Sequence, residues 1–190
     1  MRKSTEELRS KILKGAEKVL YEKGYQQMSF SLISQAASVP RGNLNYHFKT
    51  KEEIVMAIID ARKSRSIEML NGWAQEFDSP HDRLIRFTKM SLHDRKKVAR
   101  YGCPMGTLSN ELGKYAPKLG KYARSHFEIF RKWLVGEFTN YCSGDPETLA
   151  AQMLISVQGA SLLAHVYDDP STIDGNFEAI CAWLLTLESK

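Results

Sequence analysis

The chain has little that could cross-link it or hold a metal ion. It contains three cysteines, Cys103, Cys142 and Cys181, with no CxxC pair, which argues against a disulfide framework and against a cysteine-rich zinc site. A reducing, cytoplasmic setting fits best. The five histidines show no HxxxH or HExxH spacing, so no metal is expected. No GxSxG elbow or comparable turn presents a nucleophile, which leaves enzyme readings without a site and implies no cofactor. The N-terminal MRKSTEELRSKIL carries charge throughout and lacks the apolar core of a secretory signal. Long apolar runs are also missing. The greasiest stretch, LAAQMLISVQGASLLAHVY, includes Gln152, Gln158 and His165, so no membrane span is expected. No segment alternates polar and apolar residues between turn signals, so no strand is expected, and there is no internal repeat or low-complexity tract.

What the chain does have is an ordinary hydrophobic share of 43% with 26% charged residues over 190 positions, enough for one ample core or a small module on a larger one. The net charge of +5 is unevenly placed. Residues 1–65 hold 13 Lys or Arg against 7 Asp or Glu, whereas the remaining residues hold 14 against 15. A basic front on a near-neutral body suggests a polyanion-binding module joined to a part with another task, since clustered cations are rewarded by counterion release from phosphates. A solvated, Lys-rich helix face is the alternative.

Hydrophobic spacing predicts an all-α chain of about nine helices. Leu8, Ile12, Ala16, Val19 and Leu20 mark an amphipathic helix to Lys23, closed by Gly24. Ser29 is placed to cap a short helix through Ala37, and SVPRG breaks it. A second short helix runs from about Pro40 to His47. TKEE, residues 50–53, reads as a capping box that launches a long helix towards Trp73. Further helices are expected from Ser79–Pro80, over Met105 to Leu112, from Pro117 to the CSGD stop, from Asp145–Pro146 to about Tyr167, and after DDPS.

Two short helices joined by a tight turn, the second rich in hydrogen-bonding side chains, suit a reader of the DNA major groove. Arg41 can pair with guanine, Asn43 and Asn45 with base edges or phosphates, and Tyr46 with a thymine methyl or a phosphate. Leu44 and Phe48 anchor the opposite side. Ser29, His47 and Lys51 are placed to grip the backbone, aided by the free amides that follow Thr50. The alternative is a three-helix packing unit in which Tyr46 and His47 are core rings.

The segment GYQQMSFSLISQAASVPRGNLNYHFKTKEEI resembles the DNA-binding domain of the tetracycline-repressor (TetR) family. Gly24, Tyr25, Ile33, Ala37, Val39, Gly42, Leu44, His47, Phe48, Lys51 and Glu52 carry the resemblance. Met28, Ser38 and Asn45 depart from it, standing where Thr, Gly and Tyr are usual, and Asn45 bears on which operator is read. The resemblance implies a helix-turn-helix domain over residues 1–50 and a helical effector-binding and dimerisation domain over 51–190, linked by the helix from 51. It also implies a homodimer on double-stranded, palindromic operator DNA, acting as a repressor released by a small-molecule or electrophile inducer.

For the C-terminal part, the resemblance implies dimerisation through the last two helices. Gly159, Ala160 and Ser161 would permit close helix approach, with Phe177, Ile180 and Leu184 adding bulk; a core helix within one chain would look similar. Between the two functions the family keeps an effector cavity. Candidate lining residues are Trp73, Phe87, Met90, Met105, Leu108, Tyr122, His126, Phe130 and His165, each of which could equally be plain core. Cys103, before Pro104 at an expected helix start and near Lys97 and Arg100, would be favoured as a thiolate. Its local GC resembles that of a subgroup including the N-ethylmaleimide-responsive repressor, which senses electrophiles; a small buried residue is the alternative. Two rival functions are a sequence-indifferent DNA-binding protein and a helical thiol enzyme using Cys103 with His126.

Overall fold

The computed structural model describes residues 2–187, with side chains from Thr5 onward. Among the described residues ten helices follow one another: α1 (Arg2–Gln27), α2 (Phe30–Ala37), α3 (Arg41–His47), α4 (Lys51–Glu76), α5 (Pro80–His93), α6 (Arg95–Tyr101), α7 (Gly106–Tyr115), α8 (Pro117–Tyr141), α9 (Pro146–Tyr167) and α10 (Ser171–Leu185). The count of about nine expected from spacing differs by α6. The segment starting at Ser79 leaves helical geometry at Asp94 (φ −106°, ψ 14°) before resuming.

Local chemistry sets most helix starts. The hydroxyl of Ser29 accepts the Leu32 amide at 3.3 Å, that of Ser79 accepts Asp82 at 3.0 Å, and the Asp145 carboxylate accepts Thr148 at 3.0 Å. Pro80 and Pro146 occupy first turns, where their missing donors leave nothing unpaired. At α4 the Glu53 amide donates to Thr50 at 3.1 Å, and the Glu53 carboxylate reaches back to the Lys49 amide at 2.7 Å. The box closes on Lys49, one residue before the cap.

The chain forms two compact units. The first comprises Met1–Ser64 together with Thr107–His126. Its core joins Ile12, Ala16, Ile33 and Leu44 to Ile54 and Ile58, and Leu108, Leu112, Leu119 and Ala123 from far along the chain belong to the same cluster. Helices α1 and α2 pack so closely that a Cβ on Gly15 would lie 2.7 Å from Ala37 atoms. The second unit comprises Arg65–Gly106 and Phe127–Lys190. Its main core gathers Trp73, Leu84, Phe87, Phe130, Leu134 and Phe138, and a smaller cluster joins Val98 and Ala99 to Ala164 and Ile173. Arg83 donates to the Glu137 carboxylate at 2.9 Å inside this unit and also caps the carbonyls of Phe77 and Asp78. Helix α9 is long and apolar enough to cross a membrane by length and composition; here it packs against α6 and α10.

Candidate nucleic-acid interface

The turn between α2 and α3 is built from short-range bonds. The Ser38 amide donates to the Gln35 carbonyl at 3.2 Å and the Val39 amide to Ser34 at 3.1 Å, while the Ser34 hydroxyl donates to the Val39 carbonyl at 2.7 Å. Ser38 adopts the left-handed conformation (φ 51°, ψ 49°), which explains why glycine is the easier occupant of this position. From α1, the Lys11 ammonium donates to the Ser38 carbonyl at 3.4 Å.

Helix α3 is two-sided. Leu44 is fully buried and Phe48, just beyond its end, is buried as well. Burying a leucine contributes roughly 1.5–3 kcal/mol, so this face fixes the rotation of the helix. The opposite face turns Arg41, Asn43, Asn45 and Tyr46 to solvent, Tyr46 being 75% exposed. Tyr46 is therefore not a core ring. His47 is half-buried, with its ring edge-on to Tyr46 at 5.3 Å between centroids. The Arg9 guanidinium lies 5.1 Å from the Phe48 ring centroid, at an open groove of about 530 Å³ that also contacts His47, Glu53 and Met56.

Of the expected phosphate-gripping residues, Ser29 is exposed and its oxygen caps α2. Lys51 is held within the protein: its ammonium donates to the Tyr25 carbonyl at 2.9 Å and sits 4.0 Å from the Tyr25 ring centroid. The Tyr25 hydroxyl donates to Glu52 at 3.0 Å. Burial, and then this carboxylate, push the Tyr25 phenol up, while the Glu52 backbone amide and the Tyr25 hydroxyl pull the Glu52 carboxyl down. Sequence reasoning did not single out Lys11, Arg9 or Lys49 at this surface. Lys49 is exposed and donates to the Asn45 carbonyl at 2.8 Å; the FKTK spacing was its available signal.

The expected effector-site residues fall into separate places. Trp73, Phe87, Met90, Met105 and Phe130 share the main core of the second unit. There Trp133 stacks on Phe87 and meets Trp73 edge-on. Leu108 and Tyr122 belong to the core cluster of the first unit, and Tyr122 donates to Asp60. His126 is buried, whereas His165 is exposed with Nδ1 2.9 Å from the Ala99 carbonyl. Cys103 is half-buried before α7, its Sγ accepting the Gly106 amide at 3.4 Å. Among the described residues, no group of three or more His, Cys, Asp and Glu could hold a metal ion.

The chain is similar in sequence and fold to known proteins. The model of the tetR family of bacterial regulatory proteins matches residues 12–58, from within α1 through the first turns of α4. The HTH-type transcriptional regulator QacR of Staphylococcus aureus is 33% identical over 170 residues, covering 83% of this chain and 86% of QacR. An uncharacterized HTH-type transcriptional regulator in the lacX 3' region of Lactococcus lactis subsp. lactis is 28% identical over 178 residues, 90% of each chain. The crystal structure of E. coli NemR in its reduced form covers 91% of this chain and 95% of its own, with a TM-score of 0.78; at 19% identity the likeness is one of fold. A helix-turn-helix with an outward polar face, carried on a chain that aligns with such regulators over most of its length, has one assignment: the chain belongs to the tetR family of bacterial regulatory proteins and is a DNA-binding transcriptional regulator.

Proposed function

We propose that two copies of this cytoplasmic protein bind a palindromic operator, each placing α3 in the major groove, and that an effector bound in the second unit releases them. The observation that carries this reading is the division of α3 between buried Leu44 and exposed Arg41, Asn43, Asn45 and Tyr46. A helix whose rotation is fixed on one side can present base-reading groups on the other. Ser29, His47 and Lys51 supply phosphate contacts, which set register without choosing sequence.

One short helix reads few base pairs, so a dimer spanning half-sites about 34–36 Å apart, or a multiple of that, is required for affinity. Its partner surface is α9 and α10. Ile155, Leu162, Val166 and Leu185 are 70%, 61%, 62% and 76% exposed, an apolar face that a second copy would cover. The aromatic cluster of Trp73, Phe87 and Phe130 is the place for an effector in the second unit.

Selection of bound duplexes from a random oligonucleotide pool tests the reading. A palindromic consensus should emerge, and Arg41→Ala should relax preference at one position per half-site by about 1–3 kcal/mol. Equal retention of random and selected duplexes would instead favour sequence-indifferent binding. A second reading, in which the effector is an electrophile, has the half-buried Cys103 beside the Gly106 amide in its favour. Exposure to N-ethylmaleimide, which adds the thiol S–H across its double bond, should then release the selected duplex from the wild-type protein and not from Cys103→Ser.

A further inference from the structure

Tyr25 is gripped from three sides. Its amide donates to Glu111 Oε2 at 2.7 Å, and the next amide, of Gln26, donates to Glu111 Oε1 at 3.0 Å. Its carbonyl and ring hold the Lys51 ammonium, and its hydroxyl meets Glu52 in the first turn of α4. Glu111 is on α7, 86 residues from Tyr25, and Thr107–His126 belongs to the same compact unit as the helix-turn-helix. The two amides need an acceptor because Gly24, at φ 79°, kinks α1 near its end and interrupts its ladder.

We propose that Glu111 is a positioning residue for DNA binding. By clamping the Tyr25 and Gln26 amides it fixes the carbonyl and ring that aim Lys51 at the start of α4. Lysine carries its charge on a flexible four-carbon stem, so its direction depends on what holds it. Here the holder is one peptide unit, and that unit is held by a carboxylate from a helix that enters the first unit only late in the chain. The direction of a phosphate-gripping cation thereby follows the placement of α7. This rests on the DNA-binding reading above.

Two measurements on the full chain test it. The first needs no DNA: acetylation with an N-hydroxysuccinimide ester, followed by mass spectrometry of each lysine. Wild-type Lys51 should react more slowly than the exposed Lys18. Glu111→Ala should speed Lys51 by about threefold or more, the ratio carried by a weakened hydrogen bond, and leave Lys18 unchanged. If Glu111→Ala does not fold, Glu111→Gln, which retains one acceptor oxygen, should show a smaller rise in the same direction. An unchanged Lys51 rate in a folded variant overturns the proposal.

The second measurement is titration of a pool-selected duplex. Glu111→Ala should weaken binding by about tenfold yet cost nothing further in a Lys51→Met background. Additive losses would mean that Glu111 acts only through general stability, and would overturn it. Should the wild-type protein retain no duplex at all, the DNA-binding reading fails, and the labelling result still decides whether Glu111 aims Lys51.

Discussion

Replacing Gly24 by alanine perturbs the structure at one calculable point. Gly24 has φ 79° and ψ 170°, a region essentially reserved for glycine, and holding another residue there costs about 1–3 kcal/mol. A Cβ at this position would lie 2.9 Å from both Glu111 carboxylate oxygens and 3.3 Å from the carbon between them. The carboxylate must therefore withdraw from the Tyr25 or Gln26 amide, and losing a hydrogen bond to a charged group costs about 1.5–3 kcal/mol. Alanine restricts the unfolded chain, which offsets about 0.4–1 kcal/mol. The net destabilisation should be about 2–5 kcal/mol, a large share of the 5–15 kcal/mol typical of a domain. Urea unfolding followed by circular dichroism should show a lower midpoint at constant slope. The two parts separate in a double-mutant cycle: with Glu111→Ala already present, the carboxylate part disappears and only the backbone cost remains, a coupling of about 1–3 kcal/mol. A cost below about 1 kcal/mol, or the same cost with and without Glu111, would refute the reasoning.

Ser38→Gly should stabilise the protein by about 0.5–1 kcal/mol, because the left-handed cost to serine of about 1–2 kcal/mol exceeds the entropy glycine adds to the unfolded chain; thermal melting that shows no gain would contradict this. Leu162→Glu puts a charge into the proposed α9–α10 dimer face, and sedimentation should show a shift from dimer to monomer, whereas an unchanged dimer would remove that surface from consideration. The Tyr122 phenol is pushed up to about 12, first by its hydrogen bond to Asp60 and then by burial. A folded-state value raised above the ordinary 10.0 means that its contribution is full below pH 10 and is lost as pH rises towards 12. Tyr122→Phe should flatten the stability profile over that window, and an unaltered profile would show that another group governs it.

Local signals made much of the fold legible. Ser29, Thr50, Ser79 and Asp145 cap the helices that their side-chain chemistry predicted, and the four-residue step from Leu44 to Phe48 identified the buried side of α3. The break at Asp94 was not legible, since no proline or glycine marks it and the apolar pattern continues through Leu92 to Val98. Nor was the inclusion of Leu108, Leu112 and Leu119 in the core of the DNA-binding unit. Periodicity shows that a helix has an apolar face and leaves open which helices that face will meet. The same limit applies to the candidate site. Exposed Arg41, Asn43, Asn45 and Tyr46 follow from helical spacing, but the Glu111 clamp joins residues 86 positions apart and depends on tertiary packing alone.

The central claim is that exposed side chains of α3 read a specific duplex twice, through twofold symmetry. Footprinting of the wild-type chain on a pool-selected duplex, with the protein-to-DNA stoichiometry measured in the same samples, tests it most directly. The account predicts two protected half-sites centred about 34–36 Å apart or a multiple of that spacing, occupied by an even number of chains, with protection lost when the half-site sequence is scrambled. Protection that is indifferent to sequence, or a single chain on a single half-site at full affinity, would contradict it.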